Sequence, residues 1–124
     1  MSSAGGAIWI VDDEPALSKM MGLFLKRRGY TVVTFNSTEK AWQQFQADPA
    51  AVRAAVVDLS MPGMDTREFG IRLLSTNPSI YVIFCSGYPA DFHEVEAAAA
   101  GRVAFLHKPF TPEMLEERLR SLLG

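Results

Sequence analysis

The stretch AIWIVDDE, residues 7–14, joins a short apolar run to three acidic residues. The run Ala7–Val11 is rich in branched and aromatic side chains and is too short for a typical helix, so it predicts a buried β-strand. Four similar runs follow along the chain, at residues 31–35, 54–57, 80–85 and 103–106. Four of the five runs are almost continuously apolar, a pattern typical of strands that are covered on both faces of a parallel sheet.

Helical patterns lie between these runs and after the last one. The first is an apolar stripe that ends before Gly29 and is formed by Leu17, Met20, Met21, Phe24 and Leu25. Three further helices are predicted at residues 37–46, 66–75 and roughly 91–100. A last helix begins at Pro112 after the capping residue Thr111. Its residues expected to face the core are Met114, Leu115, Leu119, Leu122 and Leu123.

Strands that alternate with helices in this way predict an α/β fold, a doubly wound five-stranded parallel sheet with five helices and right-handed crossovers. Ligands of such sheets bind beyond the carboxyl ends of the strands. Polar residues stand at those ends in this chain: Asp12 and Asp13 after the first run, Asp58 after the third, Ser86 after the fourth and Lys108 after the fifth. We therefore expect them to converge on one edge of the sheet.

Three carboxylates at one edge repel one another, and a divalent cation relieves that repulsion. Mg²⁺ takes oxygen ligands, so Asp13 and Asp58 are candidate direct ligands, with Asp12 holding a coordinated water. A carboxylate beside the metal can accept a phosphoryl group, and Asp58 is the better candidate because it stands alone at a strand end. Lys108 would then balance the phosphoryl charge, and Ser86 would donate a hydrogen bond to the product.

The composition limits other classes of function. The 124 residues, 48% of them hydrophobic, fit one domain at residues 7–124 after a flexible tail at residues 1–6. A formal net charge of −2 gives little support for nucleic-acid binding by this segment. The single Cys85 excludes an internal disulfide and a multi-cysteine zinc site. The sequence contains neither a signal-peptide pattern nor an apolar run near the roughly 20 residues that span a bilayer, so we expect a cytoplasmic protein without membrane contact.

Four motifs cover the predicted strand ends: IVDDE at 10–14, DLSMPGMD at 58–65, SGY at 86–88 and FLHKPF at 105–110. Together they resemble the receiver domains of two-component response regulators, over about residues 7–123. The resemblance implies a flavodoxin-like strand order and a phosphoprotein that carries an aspartyl phosphate. It also implies the roles of the site residues: Asp58 as phosphoacceptor, Asp12 and Asp13 as the acidic pair at the metal, the backbone carbonyl of Ser60 as a further ligand, Ser86 as the switch residue and Lys108 as the family's lysine.

The resemblance also implies partners for signal transduction. The phosphodonor would be a histidine kinase or a histidine phosphotransfer protein, and the output would pass to a downstream domain or protein, with phosphorylation-dependent dimerisation as one form of assembly. The chain would catalyse only its own phosphorylation and dephosphorylation. Two alternatives are a degenerate receiver that binds a partner constitutively, which the intact acidic pair disfavours, and a magnesium-dependent phosphatase, whose Asp-x-Asp motif does not occur at Asp58.

Several positions vary or depart from the family pattern. Phe105, three residues before the lysine, can repack but cannot donate a hydrogen bond, so coupling through it relies on packing. Thr66 stands where a loop glycine is usual. Ser60 and Tyr88 occupy the positions that tune the phosphoryl lifetime, and we hypothesise that Tyr88 partly shields the acyl phosphate from water. Pro109 fixes the backbone after the lysine, and the peptide bond before it is a candidate for the cis form.

Overall fold

A computed structural model describes residues 6–59, 61, 65–87, 99 and 101–124. Its strands are β1 (Ala7–Val11), β2 (Val32–Phe35), β3 (Val52–Asp58), β4 (Tyr81–Ser86) and β5 (Val103–His107). The α-helices of the described residues are α1 (Pro15–Arg27), α2 (Thr38–Ala47), α3 (Thr66–Thr76) and α4 (Pro112–Leu123), and a short 3₁₀ turn spans Pro49–Ala51. All five predicted strands and four of the predicted helices are confirmed. The helix predicted at roughly 91–100 and most of the predicted tail at 1–6 lie outside the described residues.

The five strands pair in parallel in the order β2-β1-β3-β4-β5, which confirms the predicted flavodoxin-like sheet. The chain passes from β1 to β2 on one side and then crosses to β3 on the other side of β1. Ligands of doubly wound sheets bind at this reversal of winding. The register pairs Val11 with Val57, so the residues that follow them, Asp12 and Asp58, leave neighbouring strands at the same level.

The two faces of the sheet each pack against helices. Strand β1 shows this directly, since Trp9 and Val11 belong to one buried cluster while Ile8 and Ile10 belong to the other. Helices α2 and α3 contribute to the first cluster, and α1 and α4 contribute to the second. Burial on both faces explains why the sequence of this strand is continuously apolar.

Side chains at the helix starts cap several helices. The Ser37 hydroxyl accepts a hydrogen bond from the Lys40 N–H at 3.1 Å, and the Thr111 hydroxyl accepts one from the Met114 N–H at 3.1 Å. Asp65, which the sequence reading did not assign as a cap, accepts from the first turn of α3. At the other end of α1, Gly29 takes a positive φ of +97°, as expected for a residue that terminates a helix.

Two core assignments were wrong. Met20 is 48% exposed and Met114 is 47% exposed. Each immediately precedes a fully buried residue, Met21 or Leu115, and successive helical residues are rotated by about 100° around the axis. The buried faces are therefore narrower than the sequence pattern indicated. Among the described residues, the helices are too short or too polar to span a membrane.

Candidate functional site

The carboxyl ends of the strands bring the predicted polar residues to one edge of the sheet. Asp12 follows β1 and Asp58 ends β3, and both side chains are buried. Backbone hydrogen bonds continue beyond the strands: the Asp12 N–H donates to the Phe35 carbonyl at 3.0 Å, and the Lys108 N–H donates to the Ser86 carbonyl at 2.8 Å. These bonds hold the loops that carry the site against one another.

Lys108 lies among three carboxylates. Its ammonium nitrogen is 3.2 Å from Oδ2 of Asp58 and 3.7 Å from Oδ2 of Asp12. The same nitrogen is 3.6 Å from Oε1 of Glu14, whose side chain is 64% exposed. One ammonium cannot neutralise three carboxylates, so the site keeps a net negative charge. The peptide bond between Lys108 and Pro109 is cis, as the sequence reading suggested.

The residues present fit a hard divalent cation. One carboxylate oxygen from each of Asp12, Glu14 and Asp58 lies within 4.8 Å of the other two. Carboxylate oxygens are the ligands that Mg²⁺ prefers, and a site with excess negative charge favours its binding. The donor set is therefore suited to the metal that the family resemblance implies.

Glu14 belongs to this group although the sequence reading did not name it, and the predicted Asp13 is exposed. The backbone of Glu14 is extended, with φ −96° and ψ 103°, and its carboxylate lies with those of Asp12 and Asp58. The signal that could have identified Glu14 is its position two residues after Asp12 in an acidic run that precedes a helix.

The charges alter the protonation of the site. Burial raises the pKa of Asp12, and the neighbouring Asp58 and Glu14 carboxylates raise it further. Two effects lower this pKa: the hydrogen bond that the Glu14 N–H donates to Asp12 Oδ1 at 2.9 Å, and the positive charge of Lys108. Burial by itself lowers the pKa of Lys108, but the three carboxylates outweigh it, so the pKa of Lys108 lies above its usual value. Lys108 is therefore positively charged at neutral pH.

The predicted switch residues lie beside the site. Ser86 ends β4 and is partly exposed. Phe105 stacks on Phe84 of the adjacent strand, with ring centroids 5.9 Å apart and ring planes 17° from parallel. The Phe84 ring in turn fills the space over Gly70 of α3, where an added Cβ would overlap it. Arg118 of α4 donates a hydrogen bond to the Phe105 carbonyl, so the backbone of Phe105 is anchored while its ring packs on a neighbouring ring.

Two predicted residues lie outside the described part of the chain. They are Ser60, proposed to offer a backbone carbonyl to the metal, and Tyr88, proposed to shield the phosphoryl group. Both assignments therefore stay predictions.

Comparisons with known proteins agree with this fold. The family description that matches is the response regulator receiver domain, over residues 8–120. The chain is 30% identical over 116 residues to the response regulator GtcR of Aneurinibacillus migulanus, covering 94% of this chain and 47% of that protein. It is 33% identical over 122 residues to the sensor kinase CckA of Brucella abortus (strain 2308), covering 98% of this chain and 13% of that protein.

A solved structure also resembles this chain over almost its whole length. The chemotaxis protein CheY4 of Vibrio cholerae superposes with a TM-score of 0.79 at 26% identity, covering 96% of this chain and 99% of that one. The chain spans half or less of the length of the two curated relatives named above. The same holds for two further curated relatives, the transcriptional regulatory proteins DctD of Rhizobium meliloti and CssR of Bacillus subtilis. The likeness therefore concerns one domain of those longer proteins.

Proposed function

This chain belongs to the receiver domains of response regulators, and we propose that it accepts a phosphoryl group on the Asp58 carboxylate and thereby switches a partner-binding surface. The observation that carries the proposal is the setting of Asp58, which is 2% exposed, with Oδ2 3.2 Å from the Lys108 ammonium and two further carboxylates close by. Phosphoryl transfer depends mainly on positioning and counter-charge, and this edge of the sheet supplies both.

The phosphodonor is a phosphohistidine of a histidine kinase or of a histidine phosphotransfer protein. An oxygen of Asp58 attacks the phosphorus, a P–O bond forms as the P–N bond breaks, and the imidazole nitrogen leaves with the electron pair. Lys108 stays charged through this step because its pKa is raised, and its ammonium balances the incoming phosphoryl oxygens.

Mg²⁺ supplies additional positive charge for the phosphoryl oxygens when it is bound. The residues proposed to hold it are Asp12, Asp13, Asp58 and the backbone carbonyl of Ser60. The Asp12 carboxylate, buried beside Asp58, adds negative charge at the acceptor, which a bound cation would offset. This local negative charge supports the proposal that the site binds a metal.

The phosphorylated state would bias the domain toward a second conformation. Phosphorylation adds roughly −1.5 to −2 charges, to which the Ser86 hydroxyl can donate a hydrogen bond. Movement of Ser86 toward the phosphoryl group would let the Phe105 ring repack from its present stack on Phe84. Coupling of this kind is typically about 1–3 kcal/mol, enough to change the affinity of an output domain, a partner protein or a second copy of the chain. We place this signalling in the cytoplasm, without direct nucleic-acid or membrane contact by this segment.

Phosphorylation of the isolated chain tests the proposal. The protein is incubated with acetyl phosphate, with Mg²⁺ or with a chelator, and its intact mass is measured. We expect a gain of one phosphoryl group that requires Mg²⁺, is stable in acid and is labile in base. Asp58→Asn should abolish the gain, whereas the exposed control Asp48→Asn should keep it. A wild type that gains nothing, or an Asp58→Asn variant that still gains a group, would overturn the proposal.

A further inference from the structure

Glu14 lies beside the acceptor carboxylate and is exposed to solvent. Its side chain is largely exposed, yet its carboxylate lies within 4.8 Å of those of Asp12 and Asp58 and 3.6 Å from the Lys108 ammonium. The Glu14 and Asp58 carboxylates therefore both lie near the Lys108 ammonium, which is the one cation among the described residues of the site. An incoming phosphoryl group must enter a region where this carboxylate adds negative charge.

Glu14 is the N-cap residue of α1, but within the described residues its side chain does not cap this helix by a hydrogen bond. Its contact with Asp12 is made by its backbone N–H, which any residue except proline provides. The side-chain carboxylate is therefore available for a role in the chemistry.

We propose that Glu14 is a specificity-determining residue for phosphoryl transfer, which disfavours small dianionic phosphodonors by placing a fixed negative charge beside Asp58 and by drawing Lys108 partly away from it. The inference rests on the proposed function, because it needs a phosphoryl group to arrive at Asp58. Donors whose phosphoryl group is attached to a protein with compensating positive charge escape this penalty.

The size of the effect follows from Coulomb's law. A dianion about 7 Å from Glu14, at an effective dielectric constant of about 40–80 and at 0.1 M salt, is repelled enough to slow its reaction by about three- to sevenfold. A singly charged donor is slowed by about the square root of that factor, roughly twofold. Both factors should approach one at about 1 M salt, where the Debye length falls to about 3 Å.

Initial phosphorylation rates with two donors test the inference. At pH 7 acetyl phosphate is dianionic and phosphoramidate carries one negative charge. Under saturating Mg²⁺, Glu14→Gln should accelerate phosphorylation by acetyl phosphate about three- to sevenfold and by phosphoramidate about twofold, with both gains decreasing as salt is added. Glu14→Asp, which keeps the charge on a shorter side chain, should accelerate the reaction less than Glu14→Gln does. Glu117→Gln, which removes an exposed charge on α4, should leave the wild-type rate unchanged.

A second readout is independent of phosphorylation. Mg²⁺ affinity measured by calorimetry should fall about threefold or more in Glu14→Gln, because a negative charge near the cation is lost. Equal rates for wild type and Glu14→Gln, or an acceleration that is the same for both donors and insensitive to salt, would overturn the inference. A wild type that neither donor phosphorylates would instead overturn the proposed function, and this inference with it.

Discussion

Gly70→Ala should destabilise the protein, although alanine ordinarily favours a helix. Gly70 lies inside α3 against the ring of Phe84, which is 1% exposed and stacks on Phe105. A Cβ on Gly70 would overlap two ring carbons of Phe84, and carbon atoms pack at about 3.5–4.0 Å, so the ring must move by about 1 Å. Overpacking a core costs about 1–3 kcal/mol, whereas alanine gains about 1 kcal/mol over glycine in a helix. We expect a net loss of up to about 2 kcal/mol.

The matched control is the same substitution in another helix. Gly22 lies inside α1, where a Cβ would be 3.7 Å from Val32 Cγ1 and 3.8 Å from Thr34 Cγ2, which is ordinary contact. Gly22→Ala should therefore stabilise the protein by about 0.5–1 kcal/mol. Urea unfolding followed by circular dichroism measures both free energies. If the two variants change stability in the same direction, the reasoning from close packing at Gly70 is refuted.

The same contact can be tested by a second substitution in its partner. Phe84→Leu shortens the side chain that the new methyl group meets, so part of the overpacking cost should disappear in the double variant Gly70→Ala/Phe84→Leu. A double-mutant cycle should give a coupling free energy of about 1 kcal/mol or more, whereas additive effects would show that the two residues do not compete for space.

Three further predictions concern the site. Because the pKa of Lys108 is raised, its ion pairs stabilise the fold below the ordinary lysine pKa of 10.5 and are lost as the pH rises through the higher folded value. The stability advantage of wild type over Lys108→Met should therefore shrink above pH 10.5. A stability advantage that grows above pH 10.5 would contradict this prediction. Mg²⁺ should raise the thermal midpoint of wild type more than that of Asp58→Asn, and equal shifts would argue against a cation at Asp58. Burial raises the pKa of the Cys85 thiol to about 12, so a thiol reagent at pH 8 should modify native protein about 100-fold or more slowly than urea-unfolded protein.

The sheet and most of its site could be predicted because buried parallel strands have a recognisable sequence pattern. Each strand buried on both faces is a short apolar run, and its carboxyl end is marked by the first polar residue that follows. Asp12 and Asp58 were placed by this rule alone, and the sheet register brings them to the same level. Lys108 follows the last run after one intervening residue, His107. The strand order itself came from the family resemblance and not from the runs.

The errors have a different origin, since they concern the direction of single side chains. Met20 and Met114 were assigned to the core because an apolar residue one position from the buried face still fits an approximate helical pattern. Glu14 was missed as a member of the acidic group because residues 12–14 are all acidic, and their spacing does not show which carboxylates lie together. Side-chain directions in a loop depend on backbone angles that composition and spacing do not determine.

The charge at the sheet edge links phosphorylation to metal binding. In the described site three carboxylates surround one ammonium, and the pKa of Asp12 is raised first by burial and then by the neighbouring Asp58 and Glu14 carboxylates. A phosphoryl group on Asp58 would add about one further negative charge, because it replaces the charge of the carboxylate with its own of about −2. A bound cation must then be held more tightly in the phosphorylated state, and thermodynamic reciprocity requires the cation to favour that state by the same factor. The buried, like-charged arrangement of Asp12 and Asp58 would therefore be the physical basis of the proposed switch, because the phosphoryl group and the cation each offset the charge that the other adds.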